Sequence, residues 1–257
     1  MTWFQGLFLG IVQGLTEFLP VSSSGHLTIL YYLLNIDEGG LGFSVMLHFA
    51  TLLSVCICYR KTLWELLKHP FQKYTLYLII GMVPAGLAGL LLNDVFEPVF
   101  QSVWVAAIAL LVTAALLIVA DTKHGDIAKD DLTWKIALLI GIAQIFALTP
   151  GISRSGATIC MALLLGVRRT DAAEFSFIMS IPLILGSVLL EILDIIKEPV
   201  SFSFNPIMAV SFVAAAVFGV LAIKLVVRFL NKGHFRYFGY YCLCFSLLTI
   251  TLLLLGL

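Results

Sequence analysis

The chain has 257 residues, of which 61% are hydrophobic and only 12% charged, and its formal net charge is zero. Soluble domains carry about 25% charged residues, so this composition excludes a water-facing globular surface, and the even charge balance gives no basic face for nucleic acid. The length is therefore read as a number of bilayer crossings, each taking roughly 20 mostly apolar residues.

The first apolar region, 2–34, is interrupted by Pro20-Val21-Ser22-Ser23-Ser24-Gly25-His26. Three unbroken apolar segments follow, at about 41–59, 76–93 and 102–120. A second interrupted region, 134–167, breaks at Pro150-Gly151-Ile152-Ser153-Arg154-Ser155-Gly156. Three more unbroken segments lie at about 172–195, 206–230 and 237–257. Each unbroken segment is long enough to cross a bilayer, whereas each half of a broken region has only about 12–17 residues. Irregular backbone facing lipid leaves unpaired amides and carbonyls at several kcal/mol each, so such breaks survive only inside protein or beside a water-filled cavity. The expected fold is an all-α integral membrane protein of six transmembrane helices plus two re-entrant helical hairpins, forming one membrane domain over 1–257.

The charges test this topology. If both hairpins return to the side they entered, the loops at 60–75, 121–135, 168–171 and 228–236 share one face, which collects Arg60, Lys61, Lys68, Lys73, Lys123, Lys129, Lys135, Arg168, Arg169, Lys224, Arg228, Lys232 and Arg236. The other face, with both termini and the loops near 35–40, 94–101 and 196–205, receives only Lys197. The positive-inside rule then predicts that the basic face is cytoplasmic and both termini are outside. Trp3 and Trp104 fall at the outer boundary and Trp64 and Trp134 at the inner one, as interfacial indoles do. The five cysteines lie inside apolar segments, and neither close pair has the two-residue gap of a zinc or redox motif, so they read as small buried hydrophobes.

The broken regions match each other at a constant offset of 131: Gly10-Ile11 with Gly141-Ile142, Gln13 with Gln144, and Ser22, Ser24 and Gly25 with Ser153, Ser155 and Gly156. Each is followed by three crossings, and the two enter from opposite sides. This predicts inverted repeats of about 1–120 and 132–257, with a site where the breaks meet near the midplane.

Ionisable groups in a membrane interior are costly and usually functional. Gln13 and Glu17, four apart, share one helix face. They suit a hard divalent cation such as Mg²⁺ or Ca²⁺, which takes carboxylate and phosphate oxygens; an internal hydrogen bond that helps bury Glu17 is the plainer reading. Ser22, Ser23 and Ser24 supply hydroxyls, with His26 nearby as a base, although Ser and Gly also serve as ordinary helix caps. Ser153, Arg154, Ser155 and Gly156 precede an apolar run holding Thr158, and a helix start with a planar guanidinium fork suits phosphate. Arg154 is equally suited to pairing with Glu17. Asp171 and Glu174 have the spacing of a helix-start capping box beside Arg168 and Arg169. His48 reads as a core histidine, and Glu191 and Asp194 lie near the outer end of a crossing.

At these residues the chain resembles the bacterial undecaprenyl-diphosphate phosphatases, also called bacitracin-resistance proteins. The stretch from Gln13 to His26, QGLTEFLPVSSSGH, is similar to their first signature, and the stretch from Pro150 to Thr158, PGISRSGAT, to their second; Glu174-Phe175-Ser176-Phe177 also fits. The resemblance implies hydrolysis of undecaprenyl diphosphate to the monophosphate and inorganic phosphate, which recycles the lipid carrier of cell-wall synthesis. It also implies dependence on a divalent metal and an active site opening to the outside of the bacterial cytoplasmic membrane. By motif position, Glu17 and His26 match catalytic residues, Ser23 a proposed nucleophile, and Ser153 and Arg154 phosphate-binding residues. Gln13 stands where many members carry Glu and others Gln.

The expected function is thus a phosphatase acting on a polyprenyl diphosphate lipid, with catalytic Glu17, Ser23, His26 and Arg154. Phosphate contacts are expected from Ser22, Ser24, Ser153, Arg154, Ser155, Gly156 and Thr158, and metal contacts from Glu17 and Gln13. Ser23 or His26 is the attacking group. The competing class is a lipid or anion transporter or scramblase, since inverted repeats with broken helices are typical of transporters; transport needs no nucleophile. A purely structural membrane subunit would not retain buried Glu17, His26 and Arg154.

Overall fold

The computed structural model describes residues 2–35, 41–92, 102–197 and 206–256. The first break separates α1 (Trp3–Phe18) from α2 (Ser23–Leu34). Three helical segments follow: α3 (Leu41–Cys58) with α4 (Arg60–Lys68), then α5 (Lys73–Leu91), then α6 (Val103–Asp121). A short 3₁₀ turn at Lys129–Asp131 leads to α7 (Trp134–Phe146) and, past the second break, α8 (Arg154–Leu164). The chain ends in α9 (Arg169–Lys197), α10 (Pro206–Asn231) and α11 (Arg236–Leu254). Among the described residues there is no strand, only a single bridge between Ile127 and Val167. The loops expected at 35–40, 94–101 and 196–205 fall largely outside the described residues, as do the side chains of Glu191, Asp194 and Lys197.

Five helices, α5, α6, α9, α10 and α11, are long and apolar enough to cross a membrane, and α3 with α4 makes up to a sixth. The α3–α4 pair bends by 79° at its junction. The stretch 60–75, expected as a loop, thus contains a helix: α4 reads RKTLWELLK, with its charged and apolar residues on opposite faces and no buried side chain. Such a helix suits an interface rather than a core. The halves of the broken regions have 16, 12, 13 and 11 residues. At 1.5 Å per residue the longest reaches about 24 Å, short of the ~30 Å hydrocarbon core.

The surface is apolar, unlike that of a soluble bundle, and polar side chains are enclosed within a largely apolar core. Large apolar side chains such as Phe49, Leu53, Ile108, Val112, Val213 and Leu247 are exposed, while Gln13, Thr113, Gln144, Thr158 and Ser211 are buried. The four tryptophans are all about half exposed. Helices adhere through small residues and cross-helix hydrogen bonds, since burial from water drives nothing inside lipid. α1 lies against α10 along Gly6, Gly10 and Gly14; a β-carbon at Gly10 would sit 2.4 Å from the Ser211 carbonyl oxygen. α7 lies against α5 in the same way, where a β-carbon at Gly141 would sit 2.3 Å from the Gly81 carbonyl oxygen. Ser54 Oγ donates to the Ala216 carbonyl (2.8 Å) and Ser246 Oγ to that of Ala107 (2.6 Å), joining α3 to α10 and α11 to α6.

At one end of the bundle, Arg169 pairs with Asp121 (2.8 Å) and donates to the carbonyls of Asp121, Lys123 and Leu230, tying α9 to α6 and α10. Asp171 and Glu174 do not form the expected capping box. Asp171 pairs with Arg168 (2.7 Å) and Glu174 with Lys129 (3.2 Å). Arg168 and Lys129 draw the two carboxylates away from the start of their own helix, and Asp171 Oδ2 also accepts from the Lys129 amide (3.2 Å).

Candidate active site

Both breaks are built by the same device. Ser22 caps α2 by accepting from the Gly25 amide (3.2 Å), and Ser153 caps α8 by accepting from the Gly156 amide (3.1 Å). Each capping hydroxyl lies 3.3 Å from the hydroxyl two residues on, Ser24 or Ser155. Two helix N-termini, with their unpaired amides and positive dipole ends, therefore start at the breaks. The breaks are joined: Ser22 Oγ also accepts from the Gly151 amide (3.1 Å). Ser22 holds φ 69° to do so, and Gly151 holds φ +94° with the Ala106 carbonyl packed against the place of a β-carbon. Thr113 of α6 braces the second turn, donating to the Gly151 carbonyl (2.8 Å) and accepting from the Ser153 amide (3.1 Å).

This arrangement brings Glu17, at the end of α1, against Arg154, at the start of α8. Arg154 Nη2 donates to Glu17 Oε1. The other carboxylate oxygen, Oε2, accepts from Ser23 Oγ at 2.6 Å and from Gln13 Nε2 at 3.2 Å. Glu17 is thus simultaneously an ion-pair partner of Arg154 and a hydrogen-bond acceptor for Ser23. Glu17, Ser23, Arg154, Ser22, Ser24 and Ser153 line a small polar cavity of about 50 Å³. Glu17, Ser23, Ser24 and Arg154 also form the polar end of a much larger cavity of about 760 Å³, whose walls are α5 and α9.

Other expected residues are placed elsewhere. His26 donates from Nδ1 to the Ser22 carbonyl (2.8 Å), which leaves Nε2 to accept from the Tyr241 hydroxyl (2.8 Å). The ring is stacked on Phe245 with centroids 4.4 Å apart and is 3% exposed. Neither ring nitrogen meets Ser23, and His26 borders neither cavity. Thr158 Oγ1 lies 2.6 Å from Ser176 Oγ and donates to the Arg154 carbonyl (2.8 Å), so it links α8 to α9. Ser155 is buried and turned toward the Leu19 carbonyl (3.4 Å). Gly156 contributes its amide to the Ser153 cap.

Three further residues belong to the neighbourhood. Tyr241 orients His26 from α11, and no spacing in the sequence announces a partner 215 positions away. His48 borders the large cavity with Glu17, its Nδ1 held by the Ser44 carbonyl (3.0 Å), rather than standing in the core. Gln144 borders the same cavity; both its amide atoms are buried without a hydrogen-bond partner. Its match to Gln13 in the repeat is the signal that marks it.

Comparison with known proteins gives one consistent answer. A family model described as bacitracin resistance protein BacA matches residues 6–248. The chain is 41% identical to undecaprenyl-diphosphatase 4 of Bacillus thuringiensis (strain Al Hakam), over 98% of each chain. It is also 41% identical to an undecaprenyl-diphosphatase of Parabacteroides distasonis, over 99% of this chain and 100% of the relative. A match covering nearly the whole chain, with both signatures lying in the one cluster just described, shows that the chain belongs to the bacitracin resistance protein BacA family.

Proposed function

We propose that this protein is a membrane phosphatase that hydrolyses undecaprenyl diphosphate to undecaprenyl phosphate and inorganic phosphate. The carrying observation is the cluster of Glu17, Ser23 and Arg154, drawn from both breaks, at the head of an apolar cavity. A phosphoryl group needs a cation, a base and a nucleophile at one point, and a prenyl diphosphate needs an apolar space beside them. The relatives are named diphosphatases, and the transport reading draws no support from them.

The proposed sequence follows from the geometry. Arg154 leaves Glu17 to hold the diphosphate oxygens with its guanidinium fork, helped by the Ser24 hydroxyl and the helix starts. Ser23 Oγ attacks the terminal phosphorus while its proton passes to Glu17 across the 2.6 Å hydrogen bond. The bond from phosphorus to the bridging oxygen breaks, and undecaprenyl phosphate departs with the bonding pair. Water then attacks the phosphoserine, restoring the serine and releasing phosphate. Positioning and charge stabilisation do most of this work. His26, with both nitrogens engaged, holds the break in shape through the Ser22 carbonyl.

A divalent cation fits this site in a limited way. Among the described residues no cluster of three His, Cys, Asp or Glu side chains is close enough to hold one alone. Gln13 turns its amide nitrogen to the Glu17 carboxylate and borders neither cavity, and its Oε1 is buried without a partner, so Glu17 is the hard oxygen ligand that the site presents. A Mg²⁺ or Ca²⁺ ion held by Glu17 and by phosphate oxygens would neutralise charge on the phosphoryl group, and Gln13 would add its oxygen only with its amide turned over.

The topology proposed with this reading is six crossings plus two re-entrant hairpins, one domain over 1–257, in the bacterial cytoplasmic membrane. Its halves, about 1–120 and 132–257, are inverted repeats. The shortness of the four half-helices and the identical caps at the two breaks support it. So does the reciprocal packing of α1 on α10 and α7 on α5. The basic residues of 60–73, 123–135 and 224–236 then face the cytoplasm, and the termini and active site face outward. The deciding experiment is phosphate release from a long-chain prenyl diphosphate in detergent, with and without EDTA. Turnover by the wild type that Glu17→Ala, Ser23→Ala and Arg154→Ala abolish in folded protein supports the reading. Absence of release by folded wild type with any metal refutes it.

A further inference from the structure

The large cavity, about 760 Å³, has far more room than a diphosphate needs. From its polar end it continues as a trough between α5 and α9, walled by apolar side chains including Leu90, Leu183 and Leu190. Three of its wall positions are glycines: Gly86, Gly89 and Gly186. Glycine weakens a helix, so each needs a reason. The glycines of α1 and α7 have one, because a neighbouring backbone occupies the place of a β-carbon at Gly10 and Gly141. Gly89 and Gly186 have no such neighbour: a β-carbon at either would meet nothing within 4 Å, and at Gly86 only Leu183 at 3.9 Å. What these glycines provide is the empty width of the trough itself. Gly89 and Gly186 each stand about one turn, ~6 Å, beyond wall residues Ala85 and Pro182. The trough is continuous with the Glu17–Arg154 site, and its lining offers an elongated occupant no hydrogen bonds over most of its length.

We infer that the α5–α9 trough receives the prenyl chain of the lipid whose phosphate end lies at Arg154, and that Gly89 and Gly186 determine the chain it admits. The identity of the head group rests on the phosphatase reading; the path of the chain rests on the trough. A thin, branched, hydrogen-bond-free hydrocarbon is the occupant such a slot fits, and its entry fixes the distance from the diphosphate to the helix walls.

The test uses the full chain in detergent, with Gly89→Leu and Gly186→Leu made singly and together. Binding of undecaprenyl phosphate is compared with that of dimethylallyl phosphate, a single isoprene unit, alongside phosphate release from undecaprenyl diphosphate. Filling the trough is expected to weaken the long-chain ligand by roughly tenfold or more and the one-unit ligand by less than about twofold. Unchanged relative binding of the two ligands in folded variants overturns the inference. If the leucine variants unfold, Gly89→Ala and Gly186→Ala, which add one methyl to open space, are expected to move the same ratio in the same direction by a smaller factor. Their leaving it unmoved counts equally against the trough. The two readings fail separately. Wild type that releases no phosphate, yet loses long-chain binding when the trough is filled, removes the phosphatase and keeps the chain path. Normal release with an unmoved ratio does the opposite.

Discussion

Ser23 donates its hydroxyl hydrogen bond to Glu17 and not to His26, at 2.6 Å, across a turn of the chain that begins at Pro20. A serine activated by a carboxylate behaves differently from one activated by an imidazole, and the difference is measurable. Glu17→Gln keeps the shape of the side chain but cannot take the proton. Phosphate release is expected to fall by on the order of a hundredfold or more, and Ser23→Ala is expected to match it. Full activity in Glu17→Gln would transfer the base to another group.

Tyr241 binds the second nitrogen of His26. If His26 shapes the break without entering the chemistry, Tyr241→Phe removes only one hydrogen bond, worth about 1 kcal/mol. A small drop in thermal stability is expected, with phosphate release retained within about threefold. Loss of activity in folded Tyr241→Phe would bring His26 into the reaction.

Glycines of opposite surroundings yield opposite stabilities. A side chain at Gly10 meets the Ser211 backbone, which cannot move aside alone, while one at Gly89 meets open space. Gly10→Ala is expected to cost about 2 kcal/mol or more through forced separation of α1 and α10. Gly89→Ala is expected to be neutral or to gain about 0.5 kcal/mol of helix stability. Thermal unfolding of the two variants in one detergent checks both.

Gln144 leaves two buried amide atoms without partners. Each such atom costs about 1–3 kcal/mol, so Gln144→Leu, similar in volume, is expected to raise the unfolding temperature. A lower unfolding temperature would show that the amide has a bound partner in the folded protein.

Gln13 offers one neutral oxygen where a carboxylate would offer charge. Gln13→Glu is expected to lower the Mg²⁺ concentration for half-maximal phosphate release by about tenfold, because cation affinity follows the charge of the ligand set. An unmoved or raised requirement argues against a cation at this position.

Much of the architecture is legible in the order of residues. Helices stand where the six unbroken apolar segments were expected, with ends within three residues, because the length of an apolar run is set by the bilayer and not by its neighbours. The breaks at Pro20 and Pro150 are equally visible, since Pro, Gly and Ser mark backbone that leaves the helix. The charged stretch after Tyr59 hid α4, because alternating basic and apolar residues read as loop when the search is for crossings. Within the site, Glu17 and Arg154 were legible through their cost in a membrane. The orientation of His26 was not, because it depends on Tyr241 and Phe245 from the far end of the chain. Thr158 and Ser155 shared a motif with Arg154 but project from other sides of α8, toward α9 and Leu19.

The pairing of Glu17 with Arg154 spans 137 positions of the chain. During synthesis, α1 and its carboxylate are made long before the counter-charge exists, so Glu17 at first has no guanidinium beside it. Only when the second break arrives does the carboxylate find its guanidinium and Ser22 its amide from Gly151. The proposed site therefore cannot assemble until the second break has been made: a chain halted before Ser153 carries Glu17 and Ser23 yet lacks the guanidinium of Arg154.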